Sequence, residues 1–232
     1  MKRIAFFVEG LTEQYFVEKL IEEVLGKKNL RVEKVKMRGG RKAKPKISRI
    51  YSPERNDNAE YYFLIVDCGG ETTVASYIKE QRTNLIMKGY VAIFGLLDVR
   101  PNFKRDEIDH LKKGLYYKMP TKDILVKFLL SIMEIEAWFL AEENHYKKIS
   151  PDLTLEKLKT EFDFNPVSDT ELIDEPSELL DSIYKLAGLR YNKKDNQIRR
   201  TVKSLDYENL YFEVCKRVPS LKDFFDSINN VI

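Results

Sequence analysis

Four stretches of the chain are apolar at consecutive positions: "RIAFFV" from Arg3, "YYFLIV" from Tyr61, "YVAIFGLL" from Tyr90 and "ILVKFLL" from Ile124. Short runs of this kind, rich in β-branched and aromatic residues, predict strands buried on both faces. "LRVEKVKM" from Leu30 alternates apolar and charged residues instead, which predicts a half-exposed strand. Between the strands the period lengthens. Phe16, Leu20 and Val24 make one stripe, with Val17 and Ile21 beside it, so a helix is expected from about 12 to 25, ended by Gly26 and the lysines after it. A second helix is expected over about 73–88, and "MEIEAWFLAEEN" from Met133 opens another. Strands alternating with helices predict an α/β protein with a mostly parallel sheet flanked by helices. Residues 38–58, "RGGRKAKPKISRIYSPERNDN", are dense in breakers and charge and read as a mobile loop.

After about 147 the texture changes. "KKISPDLT" and "FNPVSDTELIDEPSE" read as loops, while "SELLDSIYKLAG", "NQIRRTVKSL" and "PSLKDFFDSI" fit short helices with apolar stripes. The expected organisation is an α/β domain over 1–146 and a smaller helical part over 147–232.

Composition narrows the classes. With 232 residues, 43% of them hydrophobic, the chain can bury a core. Its net charge of +3 names no partner, but the charge is unevenly spread. Lys27 to Arg55 holds twelve basic residues against Glu33 and Glu54, an excess of ten, so the rest of the chain carries −7. Such a segment suits either a nucleic-acid contact or a solvated loop. Arg38, Arg41, Lys42, Lys44 and Lys46 are the candidate phosphate contacts. Two cysteines, Cys68 and Cys215, and two histidines, His110 and His145, form no zinc-binding pattern. Without a signal-peptide pattern or an apolar run of membrane-spanning length, the expected setting is the cytoplasm, with no membrane contact. A Walker A sequence does not occur, so any ATPase would be a separate subunit.

Three of the buried strands end in carboxylates, Glu9, Asp67 and Asp98, and the fourth is followed by Glu134 and Glu136. In an open parallel sheet all such ends share one edge, where ligands bind. Crowded carboxylates repel one another, and a divalent cation relieves the repulsion. Ligation by oxygen alone favours magnesium or manganese, which also polarise phosphodiesters. Simple solvation of strand ends is the alternative for each residue. Asp67 before Gly69-Gly70 suits a turn. Glu9 is followed by Gly10, which permits a tight turn into a helix N-terminus able to hold an anion. Glu134 and Glu136 share a face only while the chain is extended; once a helix has begun, only one can serve the site. Trp138 and Phe139 read as core.

At these residues the chain resembles the Toprim (topoisomerase–primase) superfamily. "FFVEGLTEQYF" is similar to its first motif, a strand, a Glu-Gly pair and a helix. The order "VEGLTEQYF", "GLLDVRPNF" and "EIEAWFLA" is similar to small Toprim proteins related to the OLD nucleases and the RloB-like group. Pro176, the "YNK" of Tyr191 to Lys193, and Cys215 followed by "PSLKDFF" continue the likeness, which thus covers most of the chain. The resemblance implies a Toprim-like sheet and a Mg- or Mn-dependent nuclease or phosphodiesterase acting on DNA or RNA, in phage defence or repair. It implies Glu9, Asp98 and Glu136 as catalytic residues. Glu9, Asp98, Glu134 and Glu136 would be metal ligands, with Asp67 the second choice, and Arg100 and Lys193 would join the nucleic-acid contacts. One departure stands out: Arg100 occupies the position where these enzymes carry a second Asp. Arg100 could contact phosphate itself. The competing expectation is a non-catalytic Toprim module that binds nucleic acid or a partner ATPase.

Overall fold

Continuous apolar strands belong inside a parallel sheet, and three of the four lie there, the fourth at one edge. A computed structural model describes residues 1–39, 46–52, 56 and 58–232. Its six strands are β1 (Lys2–Val8), β2 (Leu30–Arg38), β3 (Lys46–Tyr51), β4 (Tyr61–Asp67), β5 (Tyr90–Asp98) and β6 (Leu125–Ser131), in the order β3-β2-β4-β1-β5-β6. β1 runs parallel to both β4 and β5, and β2 parallel to β4. Ile4, Ala5, Phe6 and Val8 of β1 are wholly buried, which is why that strand shows no polar alternation. In β2 the alternation slips by one residue at Lys34/Val35, where its register with β3 also shifts.

The strand β3 corrects the loop expected over 38–58. It pairs antiparallel with β2, Met37 opposite Ile47 and Arg38 opposite Lys46. All six of its residues are exposed, so no buried face imposes a pattern on the sequence. Lys46 and Arg49 on an open edge discourage pairing with another sheet. Arg41, Lys42 and Lys44 lie outside the described residues.

The chain divides into two compact units that interleave in sequence: residues 1–97, 106–130 and 230–232 form one, residues 98–105 and 131–229 the other. In the first, helices α1 (Leu11–Leu25) and α2 (Glu71–Met87) pack on the sheet, and α3 (Ile108–Tyr116) buries Leu111 and Leu115. Phe16 and Leu20 of α1 are buried, whereas Val24, at the end of the expected stripe, is 38% exposed. Gly95 in β5 has a packing reason. A Cβ there would lie 2.6 Å from Phe128 of β6 and 3.1 Å from Ile78 of α2. Gly95→Ala is therefore expected to destabilise by about 1–3 kcal/mol through overpacking, read as a lower urea midpoint with an unchanged slope.

The second unit is helical: α4 (Glu136–Ala141), α5 (His145–Ile149), α6 (Leu155–Phe162), α7 (Pro176–Lys185), α8 (Asp195–Ser204) and a C-terminal helix, Pro219–Asn229. Trp138 and Phe139 are core, as expected. The Trp138 indole donates to Ser220 Oγ at 2.7 Å and lies 5.4 Å from the Phe224 ring. Among the described residues no helix is long and apolar enough to cross a membrane.

Candidate functional site

In the first unit β1 stops at Val8, and Glu9 is fixed through its backbone. Its N–H donates to the Leu96 carbonyl of β5 at 3.2 Å, and its own carbonyl accepts from Gly70 N–H at 2.8 Å. Val8 is in register with Asp67 on one side and Leu96 on the other. The ends of β4, β1 and β5 therefore follow one edge of the sheet. The Gly10 N–H, at the start of α1, donates to Glu13 Oε2 at 2.8 Å, so the helix's own carboxylate takes the place expected for an anion.

Asp67 is 2% exposed and matches the turn reading. Its Oδ1 accepts from Gly69 N–H at 3.0 Å, and its Oδ2 accepts from Arg38 Nη2 at 2.9 Å. The Asp67 carbonyl takes a further hydrogen bond from Arg38 Nη1. Gly69 sits at φ +75°, and a Cβ on it would lie 2.8 Å from the guanidinium. Glycine is thus required both for the turn and for the Arg38 ion pair. Burial, then the charges of Asp67 and Glu9 working against Arg38, push the neighbouring Cys68 thiol up, so the Glu9 and Asp67 charges act on one buried group.

In the second unit Asp98, 5% exposed, accepts on Oδ1 from Ser131 Oγ at 2.5 Å and Ile135 N–H at 2.8 Å. Those bonds tie the end of β5 to the segment that opens α4. Glu134 precedes that helix and Glu136 is its first residue, so the chain is not extended between them. Even so, both side chains reach the same ammonium, that of Lys193. Glu134 Oε1 lies 3.5 Å from Lys193 Nζ, and its Oε2 accepts from Ser177 N–H, in the first turn of α7, at 2.8 Å. Glu136 is wholly buried; Oε1 accepts from the Tyr191 hydroxyl at 2.7 Å and Oε2 lies 3.0 Å from Lys193 Nζ. That Oε2 takes no directional hydrogen bond, so its contact with the ammonium is one of charge.

Asp181 of α7 holds the segment that delivers Tyr191 and Lys193. It accepts from Tyr191 N–H at 2.7 Å and Arg190 Nε at 3.0 Å, and pairs with Lys185 at 2.8 Å. Burial pushes its carboxyl up, but Arg190, Lys185 and the Tyr191 N–H together outweigh burial and hold the pKa at about 2. Arg100 makes two exposed contacts: Nη1 donates to the Asp174 carbonyl at 2.7 Å and Nη2 to Glu175 Oε1 at 3.2 Å. Asp181 is a partner of this cluster that the sequence alone does not single out, and Tyr191 enters the sequence reading only through the likeness of "YNK". No sequence pattern marks Asp181, because its role comes from hydrogen bonds to the segment that carries Tyr191 and Lys193.

Among the described residues no three His, Cys, Asp or Glu side chains gather into a metal cage. The oxygen-only pair Glu134 and Glu136 still suits magnesium, which commonly takes one or two carboxylates and completes its shell with water and phosphate oxygens. No family model, no curated protein and no solved structure matches this chain. The Toprim resemblance rests on the motifs alone.

A second buried polar cluster lies in the same unit. Glu142 and His145 are both wholly buried. His145 Nδ1 bonds to the Glu142 carbonyl, while Nε2 has no hydrogen-bond partner among the described residues. A proton on Nε2 would be a buried charge without an acceptor. Burial accordingly drags the His145 pKa from 6.5 to about 4, against the hydrogen bond to Glu142. A depressed pKa contributes stability that is complete above pH 6.5 and is lost as pH falls toward 4. The depression corresponds to about 3 kcal/mol. Glu142 acts with the opposite sign, since burial raises its pKa and its share is lost as pH rises. Urea denaturation at pH 7 and pH 4.5 is therefore expected to show less acid loss in His145→Gln than in wild type. Equal loss in both would mean that the imidazole is not the titrating group.

Proposed function

We propose that the chain is a Mg- or Mn-dependent phosphodiesterase of Toprim type that hydrolyses nucleic acid. The observation that carries this reading is the sheet order: β1 and β5 are parallel neighbours, Glu9 follows the first and Asp98 closes the second. On this reading Glu9 handles the proton of the attacking water, and Asp98, Glu134 and Glu136 supply carboxylate oxygen. A bound metal would neutralise charge developing on the phosphate. The basic segment holds the nucleic-acid backbone, and phage defence or repair, with or without an ATPase subunit, is the setting in which such chemistry is used.

The test is cleavage of end-labelled DNA and RNA with manganese, with magnesium and with a chelator. Metal-dependent cleavage that disappears in Asp98→Asn supports the reading; no cleavage of either polymer with either ion overturns it. A second reading, a non-catalytic module that binds nucleic acid or an ATPase, draws on Lys193 between the carboxylates and on Arg100 bound to Glu175. It expects binding without cleavage.

The basic segment gives a separate expectation. Arg38 pairs with the buried Asp67, so replacing it would disturb the fold as well as the charge. Neutralising Arg41, Lys42, Lys44 and Lys46 while sparing Arg38 should weaken nucleic-acid binding. The log–log salt slope should fall by roughly 0.7 to 0.9 for each phosphate that the protein no longer neutralises. An unchanged slope would make the segment a solvated surface.

A further inference from the structure

We infer that Lys193 is a tethered cation that, in the metal-free chain, fills the place a divalent ion takes between Glu134 and Glu136, and that the ion enters by displacing it. The inference rests on the reading that these carboxylates bind such an ion.

Glu136 is the first reason. A wholly buried carboxylate needs compensation. The Tyr191 hydroxyl satisfies Oε1, but Oε2 takes no hydrogen bond among the described residues and lies 3.0 Å from the Lys193 ammonium. An oxygen in that state is open to a cation, whether ammonium or metal. Glu134 is the second. With Oε2 anchored by Ser177 N–H, its Oε1 faces the same ammonium at 3.5 Å. One positive charge thus serves two carboxylates that would otherwise repel each other.

The carboxylates and the lysine differ in how firmly they are held. Glu136 begins a helix and is gripped by Tyr191, and Glu134 is gripped by the start of α7. The Lys193 side chain is 39% exposed and lines a cavity of about 420 Å3 with Ser177, Asp181 and Tyr191. Its ammonium, a compact charge on a flexible stem, can leave for that cavity without unfolding anything around the carboxylates. Lysine and metal then exclude each other. Metal affinity in the resting chain is set by the fraction of time the site is free of lysine. If the ammonium occupies it nine-tenths of the time, removing the lysine tightens metal binding about tenfold. An anionic group entering the cavity would draw the ammonium outward and favour metal entry, coupling phosphate to metal.

The experiment is manganese titration of the full chain by calorimetry, with thermal shifts alongside, for wild type, Lys193→Met, Lys193→Gln and Lys193→Met/Glu136→Gln. Methionine keeps the apolar stem without charge. Glutamine, which can still donate to Glu136, serves if the methionine variant does not fold. The expected result is manganese binding at least about tenfold tighter in the single variants, with a larger rise in melting temperature, and loss of that gain in the double variant. Equal affinity in wild type and the single variants would overturn the displacement and leave the metal reading intact. Absence of binding in all of them would overturn both. A gain that survives Glu136→Gln would place the ion elsewhere and overturn this assignment. A purely structural lysine would lower the melting temperature of the variants without changing their response to manganese.

Discussion

Glu142→Ala should cost about 3–5 kcal/mol, because it removes a wholly buried carboxylate and strips four donors of their acceptor at once, the His145 N–H buried and the other three half-buried. Oε1 accepts from Asn144 N–H at 2.9 Å and Asn209 Nδ2 at 2.8 Å. Oε2 accepts from His145 N–H at 2.9 Å and Asp206 N–H at 3.1 Å. The side chain is wholly buried, so water does not replace it without rearrangement. One carboxylate thereby joins the start of α5 to the turn at Asp206, far apart in sequence. Glu142→Gln should recover only part of the loss, since its amide nitrogen must face donors that need an acceptor. Urea denaturation gives the total. Amide exchange at His145 and Asp206 shows whether those two N–H groups lose protection first. A loss below about 1 kcal/mol for the alanine variant would mean that the donors find other partners, and the cluster would no longer count as a joint of this unit.

The legible parts of the fold are those whose burial leaves a mark on the sequence. β1, β4 and β5 lie inside the sheet, and β6, although at an edge, is buried at most positions, so all four read as apolar runs. β2 shows its alternation because one face is half-exposed. β3 leaves no such mark, being an edge strand with every residue exposed. α3 is equally hard to see, because it buries only Leu111 and Leu115, one turn apart. The interleaving of the two units depends on contacts that no local pattern announces.

For the candidate site, carboxylates ending apolar strands are visible at once, and the turn at Asp67 can be read from the Gly-Gly pair beside it. The convergence of Glu134 and Glu136 cannot. It requires Lys193, and Lys193 is positioned by Asp181 and Tyr191 acting through α7. Period alone treats the two glutamates as either extended or helical, whereas the chain turns between them and both reach the same charge.

Glu9→Gln is the substitution that separates chemistry from solvation most sharply. The backbone of Glu9 is held by Leu96 and Gly70, bonds that do not involve its side chain, so glutamine should occupy the same place. If the carboxylate moves the proton of the attacking water, cleavage should fall by roughly a hundred- to ten-thousandfold. If Glu9 is crowded by other carboxylates at the sheet edge, removing its charge relieves repulsion, and the metal-free variant should melt no lower than wild type. Magnesium then tells a ligand from a base. If Glu9 also binds the ion, added magnesium should raise the melting temperature of wild type more than that of the variant, because only metal-competent folded protein gains from binding. If both respond equally while activity has collapsed, Glu9 acts through its proton alone. Solvation of the strand end predicts unchanged cleavage and unchanged melting with or without magnesium. That pattern would remove Glu9 from the site, and the proton would have to be handled from elsewhere along the sheet edge.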